Sequence, residues 1–424
     1  MSKFIIKGPC KLHGSIIPSG AKNAALKMLA ATILTREKCV LNNCPRISDI
    51  ETMIKILESI GAKTKWTGNH RLEIDPAKIN SYKPDFELVK KMRASIVLAG
   101  PLLGRFGRAE IAEPGGCVIG ARPTHEHWEA LSSFGVKVTH KKFSTLLETK
   151  KLTGTKIITI GLSVTATENA IMSAVLATGQ TQIRVAATEP EVQDLVKMLK
   201  KMGAKIKGET THFIEITGVK KLKGVFHTIL PDRIEAMTFA IAGIITHSNI
   251  TIKKIIPDHL DIIFDRFNKA GINYKLINPD GRYADLKISP SNNLHPIKID
   301  PRPYPGYPTD LQAQTGVLMT QLPRTSKIFE TIYDDRLKYT SELIKMGAQI
   351  RIIDKHTAEI TGPTKLHGAK ITSFDLRAGA TLILAGLIAH GTTEIDNIGT
   401  IDRGYENIEG KLRKLGADIR RVNN

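Results

Sequence analysis

A thiol and a guanidinium share the stretch Glu113-Pro114-Gly115-Gly116-Cys117-Val118-Ile119-Gly120-Ala121-Arg122-Pro123. Its prolines stiffen φ while its glycines permit turns closed to other residues, so the segment reads as a loop of mixed stiffness. A thiol near cations ionises more readily, and it can then donate a proton, attack an electrophile or be alkylated. The plainer reading of Cys117 is a small residue that suits a tight turn. Further polar groups fall at the starts of apolar helical stretches: Lys22 and Asn23, Arg93, Ser163, Asp232, Asp310, Asp375 and Arg377. Others fall in loops after short β-rich runs: Arg122, Glu189 and Glu191, Asp258, Arg336 and Arg403. A helix start offers unpaired N–H groups and positive partial charge, which suits anionic ligands. Singly, each such residue reads equally well as a surface charge or a cap.

Those helices belong to a repeat. An ending of the form apolar-x-x-apolar-Gly occurs at Gly61, Gly135, Gly203, Gly271, Gly347 and Gly416. The spacing of roughly 70 residues is long for a solenoid module and short for a domain, so six units must pack into fewer, larger bodies. Each glycine stands where a helix end needs a left-handed residue. In step with these endings come helices that are apolar nearly all round, such as Ala24-Ala25-Leu26-Lys27-Met28-Leu29-Ala30-Ala31 and Thr381-Leu382-Ile383-Leu384-Ala385-Gly386-Leu387-Ile388. A helix of that kind belongs inside a domain, covered by sheet. β-rich runs such as Ile250–Ile256 and Thr393–Ile398 lie between the helices, and the unit reads helix, strand, helix, strand pair.

At 424 residues the chain is long enough for two or three domains. Lys plus Arg outnumber Asp plus Glu by 61 to 41, giving a formal charge of +20 that attracts anions. The basic residues are spread along the chain and aromatics are only 5%, so phosphorylated metabolites fit better than nucleic acid. Cys10, Cys39, Cys44 and Cys117 lack the spacing of a zinc site or a disulfide framework and read as reduced thiols of a cytoplasmic protein. The start Met1–Gly8 reads as a strand rather than a signal peptide, and no apolar run is long enough for a membrane span.

The ordered motifs resemble the UDP-N-acetylglucosamine enolpyruvyl transferases (1-carboxyvinyltransferases). The matching segments are Ser19-Gly20-Ala21-Lys22-Asn23-Ala24, Met92-Arg93-Ala94-Ser95, the Cys117 loop through Pro123, Glu189-Pro190-Glu191, Leu230–Glu235, Pro308–Gln314, Asp375-Leu376-Arg377-Ala378 and Ile401–Glu406. They run from end to end of the chain. The resemblance implies an α/β fold of two inside-out α/β barrels, three repeated units in each, with helix N-termini facing a shared cleft. Residues 22–232 would form the domain carrying the Cys117 loop, and residues 1–21 with 233–424 the other.

The same resemblance implies transfer of the enolpyruvyl group of phosphoenolpyruvate to the 3-hydroxyl of UDP-N-acetylglucosamine, with release of phosphate. Addition followed by elimination needs a proton donor for the methylene carbon and a base for the hydroxyl. By resemblance Cys117 is the donor, Asp310 the base, and Lys22 a third catalytic residue. Lys22, Arg93, Cys117, Arg122, Arg336, Asp375, Arg377 and Arg403 would hold phosphoenolpyruvate, Asp375 by orienting an arginine. Asn23, Arg93, Arg122, Pro123, Ser163, Val164, Glu189, Asp310 and Ile332 would hold the UDP-sugar. No cofactor or metal is expected, and the partners are the two small substrates, with neither nucleic acid nor membrane.

Three positions depart from the family pattern. Thr165 stands where a glycine is usual, Gly161 and Leu162 occupy a stretch that usually carries a lysine, and His125 replaces an aspartate after Arg122-Pro123. All three fall in the expected nucleotide pocket. They leave open an acceptor that is a different nucleotide or, less in keeping with the Cys-bearing loop, shikimate phosphate. A basic nucleic-acid scaffold with an inactive site is the remaining alternative.

Overall fold

The computed structural model of the chain describes residues 2–115, 120 and 124–423. It is an α/β protein with two compact units. Apart from the loop around residue 120, one unit comprises the segment up to Ser19 and the chain from Pro231 onward, and the other runs from Gly20 to Leu230. Among the described residues there are six sheets, five of four strands and one of three.

In the Gly20–Leu230 unit the sheets are built on the strands Cys39–Asn42, Ser144–Glu148 and Gln180–Arg184. The third of these sheets shows the local logic. Lys156–Ile158 runs parallel to Gln180–Arg184, with Val164–Ala174 as the connecting helix, and the hairpin Lys205–Lys207 and Phe213–Thr217 adds antiparallel strands. In the other unit the sheets are built on Asn249–Ile255, Arg324–Phe329 and Gly391–Asp396. The opening strand Lys3–Gly8 lies in the last of these, with Phe4 opposite both Ile395 and Arg421.

Helices buried on every side fill the units. Every residue of Arg233–Ile245 from Ile234 on is buried, as is every residue from Arg377 to Leu387 in Leu376–Ile388. Fully burying one Leu or Ile in such a helix is worth about 1.5–3 kcal/mol, so the all-round apolar pattern makes the interior their low-energy place. The second set of helices is two-faced. Pro190–Lys201 buries Val192, Leu195, Val196, Met198 and Leu199 while Lys200 and Lys201 stay exposed. The six glycines of the repeated ending all take positive φ, between 73° and 106°. At Gly271 a Cβ would also lie 2.0 Å from the Asn293 carbonyl oxygen, so a side chain there is excluded twice over.

The structure refines the sequence reading of the unit. The buried helices expected to start at Arg93 and Thr309 open with 3-10 turns, Arg93–Leu98 and Thr309–Leu311, before the α-helices Ala99–Phe106 and Gln312–Met319. Arg336 and Arg403, read as loop residues, lie in the 3-10 turns Arg336–Tyr339 and Ile398–Arg403, and Glu191 lies inside the helix it was expected to precede. The parallel strands Lys156–Ile158, Phe226–Thr228, Lys298–Ile299 and Lys370–Thr372 were not anticipated, because two or three residues are too few to show alternation.

Candidate active site

Of the buried helix starts, two carry side-chain caps. Asp232 Oδ1 accepts from the N–H groups of Ile234 (2.8 Å) and Glu235 (3.0 Å), and Asp375 Oδ1 from those of Arg377 (2.7 Å) and Ala378 (3.1 Å). The starts at Lys22, Arg93, Val164 and Thr309 have no side-chain cap, which leaves their N–H groups for other acceptors. Asp375 thereby fixes the backbone that carries Arg377. Asp375→Ala should destabilise its unit by about 1 kcal/mol, read as a lower urea midpoint at unchanged slope.

In the unit from Pro231 onward, Asp310 sits between two guanidiniums. Arg336 Nη2 lies 2.9 Å from its Oδ1 and Arg377 Nη2 2.8 Å from its Oδ2. The two arginine side chains are 3% and 4% exposed and the aspartate 30%, so the cations are buried and the anion is reachable. Burial presses both guanidiniums toward losing their protons, but Asp310 foremost holds them above the ordinary arginine value and charged. Arg336 is also turned to the Thr309 carbonyl, at 3.0 Å from Nη2. Glu330, raised by burial, accepts from Thr309 Oγ1 at 2.9 Å and from the Ile332 N–H at 2.8 Å, which ties Ile332 to the same knot. Arg377 stands 5.5 Å from the Tyr405 ring centre, and the Tyr405 hydroxyl bonds Thr238 and Gln314, each at 3.0 Å. The Arg377 Nε and Nη1 are buried and meet no hydrogen-bond acceptor among the described residues. Arg403 closes the turn Ile398–Arg403, half-buried.

In the Gly20–Leu230 unit, Lys22 Nζ meets Asp49 Oδ2 at 2.7 Å with both side chains largely buried. Asn23 follows on the same helix, half-buried. Arg93 Nη1 donates to the Pro114 carbonyl at 3.4 Å, which links its turn to the loop that leads toward residue 117. Ser163 and Val164 open one helix and Glu189 another, all half-buried. Cys117, Arg122 and Pro123 lie outside the described residues.

Of the departures, Gly161 and Leu162 both take positive φ, 62° and 56°, in the turn that leads to Ser163. Thr165 is joined to a buried imidazole. Asn169 has its amide orientation fixed, Oδ1 accepting from Gly100 N at 2.8 Å and Nδ2 donating to the Ile96 carbonyl at 3.0 Å. That Nδ2 faces His127 Nδ1 at 2.9 Å, so the imidazole proton sits on Nε2, 3.2 Å from Thr165 Oγ1. His125 opens the helix His125–Ser132.

The structure thus gathers Asp310, Ile332, Arg336, Asp375 and Arg377 around connected hydrogen bonds in one unit, and sets Lys22, Arg93, Ser163 and Glu189 at helix starts of the other. Sequence reasoning missed Asp49, Glu330, Gln314 and Tyr405 as their supports. Gln314 and Tyr405 lay within motifs already marked, whereas Asp49 and Glu330 carried no local signal. Among the described residues no group of three or more His, Cys, Asp or Glu is placed to hold a metal ion.

The family model for EPSP synthase (3-phosphoshikimate 1-carboxyvinyltransferase) matches residues 6–412. A UDP-N-acetylglucosamine 1-carboxyvinyltransferase of Hydrogenovibrio crunogenus is 43% identical over 423 residues, covering 100% of both chains. UDP-N-acetylglucosamine 1-carboxyvinyltransferase 2 of Carboxydothermus hydrogenoformans is 45% identical over 422 residues, again covering 100% of both. Among solved structures, the enolpyruvyl transferase NikO from Streptomyces tendae matches with a TM-score of 0.90 at 24% identity, covering 100% of this chain and 99% of that one. EPSP synthase from Acinetobacter baumannii matches with a TM-score of 0.80 at 16% identity over the whole of both chains.

Proposed function

Since the chain belongs to the enolpyruvyl transferase family, we propose that it transfers the enolpyruvyl group of phosphoenolpyruvate to the 3-hydroxyl of UDP-N-acetylglucosamine, releasing phosphate, as the first committed step of peptidoglycan synthesis. The observation that carries this reading is the full-length identity of 43–45% to carboxyvinyltransferases named for that acceptor. The family model named for the shikimate-phosphate enzyme also matches residues 6–412, but the solved enzyme of that name is only 16% identical to this chain.

Cys117 donates the proton to the methylene carbon and Asp310 takes the proton of the sugar hydroxyl. Lys22, Arg93, Arg122, Arg336, Arg377 and Arg403 bind the phosphate and carboxylate of phosphoenolpyruvate, with Asp375 holding the Arg377 backbone. Asn23, Ser163, Val164, Pro123, Glu189 and Ile332 hold the nucleotide sugar together with Arg93, Arg122 and Asp310. Guanidinium forks suit planar carboxylate and tetrahedral phosphate, and the two unengaged donors of Arg377 are in keeping with that task. Each unit is, in this reading, an inside-out α/β barrel of three repeats with crossings near residues 22 and 232. Support for that comes from the three sheets and the buried helices of each body. The substrates are small molecules rather than nucleic acid. No helix among the described residues is long and apolar enough to cross a membrane. Because Cys10, Cys39 and Cys44 stand outside any disulfide among the described residues, we place the enzyme in the cytoplasm.

The test is phosphate release from phosphoenolpyruvate with and without UDP-N-acetylglucosamine. Release is expected only when both are present. Release driven equally by shikimate phosphate, or none with the UDP-sugar, would remove the reading.

A further inference from the structure

Beneath the helix starts assigned to the acceptor lies an ion pair that the chemistry above does not use. Glu168, on the fifth position of Val164–Ala174, is fully buried, and Lys27, on the sixth of Lys22–Ala31, is 4% exposed. Lys27 Nζ lies 3.4 Å from Glu168 Oε2, and neither Glu168 oxygen gains a full hydrogen bond. Glu189 and Glu191, at the start of Pro190–Lys201, add repulsion from the third helix. The neighbouring Thr167 ties this helix to the approach to Glu189, its Oγ1 accepting from the Ala187 N–H at 3.0 Å.

Other charged groups on packed elements are engaged elsewhere, Asp49 with Lys22, Arg93 with the Pro114 carbonyl, and Asp194 with His227 and the Leu230 N–H. His127 faces the same helix but is held by Thr165 and Asn169. Arg105 is turned to the carbonyls of Ile33, Thr35, Pro76 and Ile79. Arg184 and Glu215 occupy strand positions that alternate with the buried Ile183, Ile214 and Ile216, so they point away from the helix.

We propose that Lys27 and Glu168 are a positioning pair for acceptor binding: their ionic contact sets the relative placement of the helix starts carrying Lys22–Asn23, Ser163–Val164 and Glu189. This rests on the acceptor reading given above. With Glu168 ionised, it draws Lys27 and the Lys22 helix in and holds Glu189 and Glu191 off. Once protonated it no longer holds the ammonium, and the starts shift. Burial foremost, only partly offset by Lys27, raises the Glu168 carboxyl to about 7, so the exchange falls in the working range of pH. The diesterified diphosphate of the UDP-sugar does not itself titrate there.

Steady-state kinetics of the whole chain between pH 6 and 8 test this. In the unaltered chain the KM for UDP-N-acetylglucosamine should rise about tenfold as pH falls through 7, a change of one decade for one lost contact. Glu168→Gln should fix that KM near its pH 6 value throughout. A second readout needs no turnover. A carboxyl raised from 4.5 keeps its proton in the folded chain after the unfolded chain has lost it, so its contribution to stability falls as pH rises from 4.5 to about 7. The thermal midpoint of the unaltered chain minus that of Glu168→Gln should decline over that window. If Glu168→Gln folds poorly, Lys27→Met/Glu168→Gln, which buries no charge at the pair, should fold and show the same flat, raised KM. An inflection that persists in either variant, or a fall in kcat with the acceptor KM unmoved, would overturn the proposal. Absence of turnover with the UDP-sugar in the unaltered chain would instead overturn the acceptor reading, and the inference with it.

Discussion

In the proposed chemistry Asp310→Asn should lower the rate of phosphate release by about a hundred- to ten-thousandfold, the range for loss of a general base, without raising the KM for phosphoenolpyruvate. The second half of that expectation comes from the geometry. A carboxylate that accepts from Arg336 at 2.9 Å and Arg377 at 2.8 Å is a poor base, because both contacts favour its anionic form. Asp310 gains basicity only when an arriving anion draws at least one guanidinium away. The asparagine variant removes the base but also frees both cations, so phosphoenolpyruvate should bind at least as well. It also leaves two buried guanidiniums short of a counter-ion, a cost of about 3 kcal/mol, at the low end for buried pairs because the carboxylate is partly open to water. Steady-state kinetics well below the variant's lowered melting point separate the two effects. A raised KM for phosphoenolpyruvate with kcat unchanged would make Asp310 an organiser of the arginines and not the base.

In the proposed chemistry Cys117→Ala should reduce turnover by about a thousandfold, since proton donation to carbon is lost. Binding of UDP-N-acetylglucosamine should change little, because the thiol faces the other substrate in the proposed chemistry. Alkylation by fosfomycin should follow the same residue: mass spectrometry should find the adduct on the Cys117 peptide and none on the alanine variant, with Cys10, Cys39 and Cys44 unmodified. Burial pushes the Cys39 thiol up to about 12 and raises that of Cys10 as well, which disfavours their thiolates. An alanine variant with ordinary turnover would dismiss the thiol as the acid.

Much of this architecture was legible before any coordinates, and the reason is that its signals are local. The glycines that end the outer helices announce a left-handed residue, and all six take positive φ. The helices apolar on every side, such as Leu376–Ile388, announce burial because no other setting suits them. Asp232 and Asp375 before helical stretches announce caps, and both cap. The parallel strands of two or three residues were invisible for the converse reason, since their pairing partners, and not their own pattern, make them strands.

The sequence by itself determined the helix ends, the buried faces and the identities of the charged groups, because each depends on residues within a turn or two of one another. Only the tertiary structure decided which charges meet. Asp49 for Lys22, Glu168 for Lys27, and Arg336 with Arg377 around Asp310 are pairs brought together across tens to more than a hundred residues. An ionic contact a few ångströms long leaves no periodic trace along a chain, and burial, which gives it strength, exists only after the helices and sheets have packed.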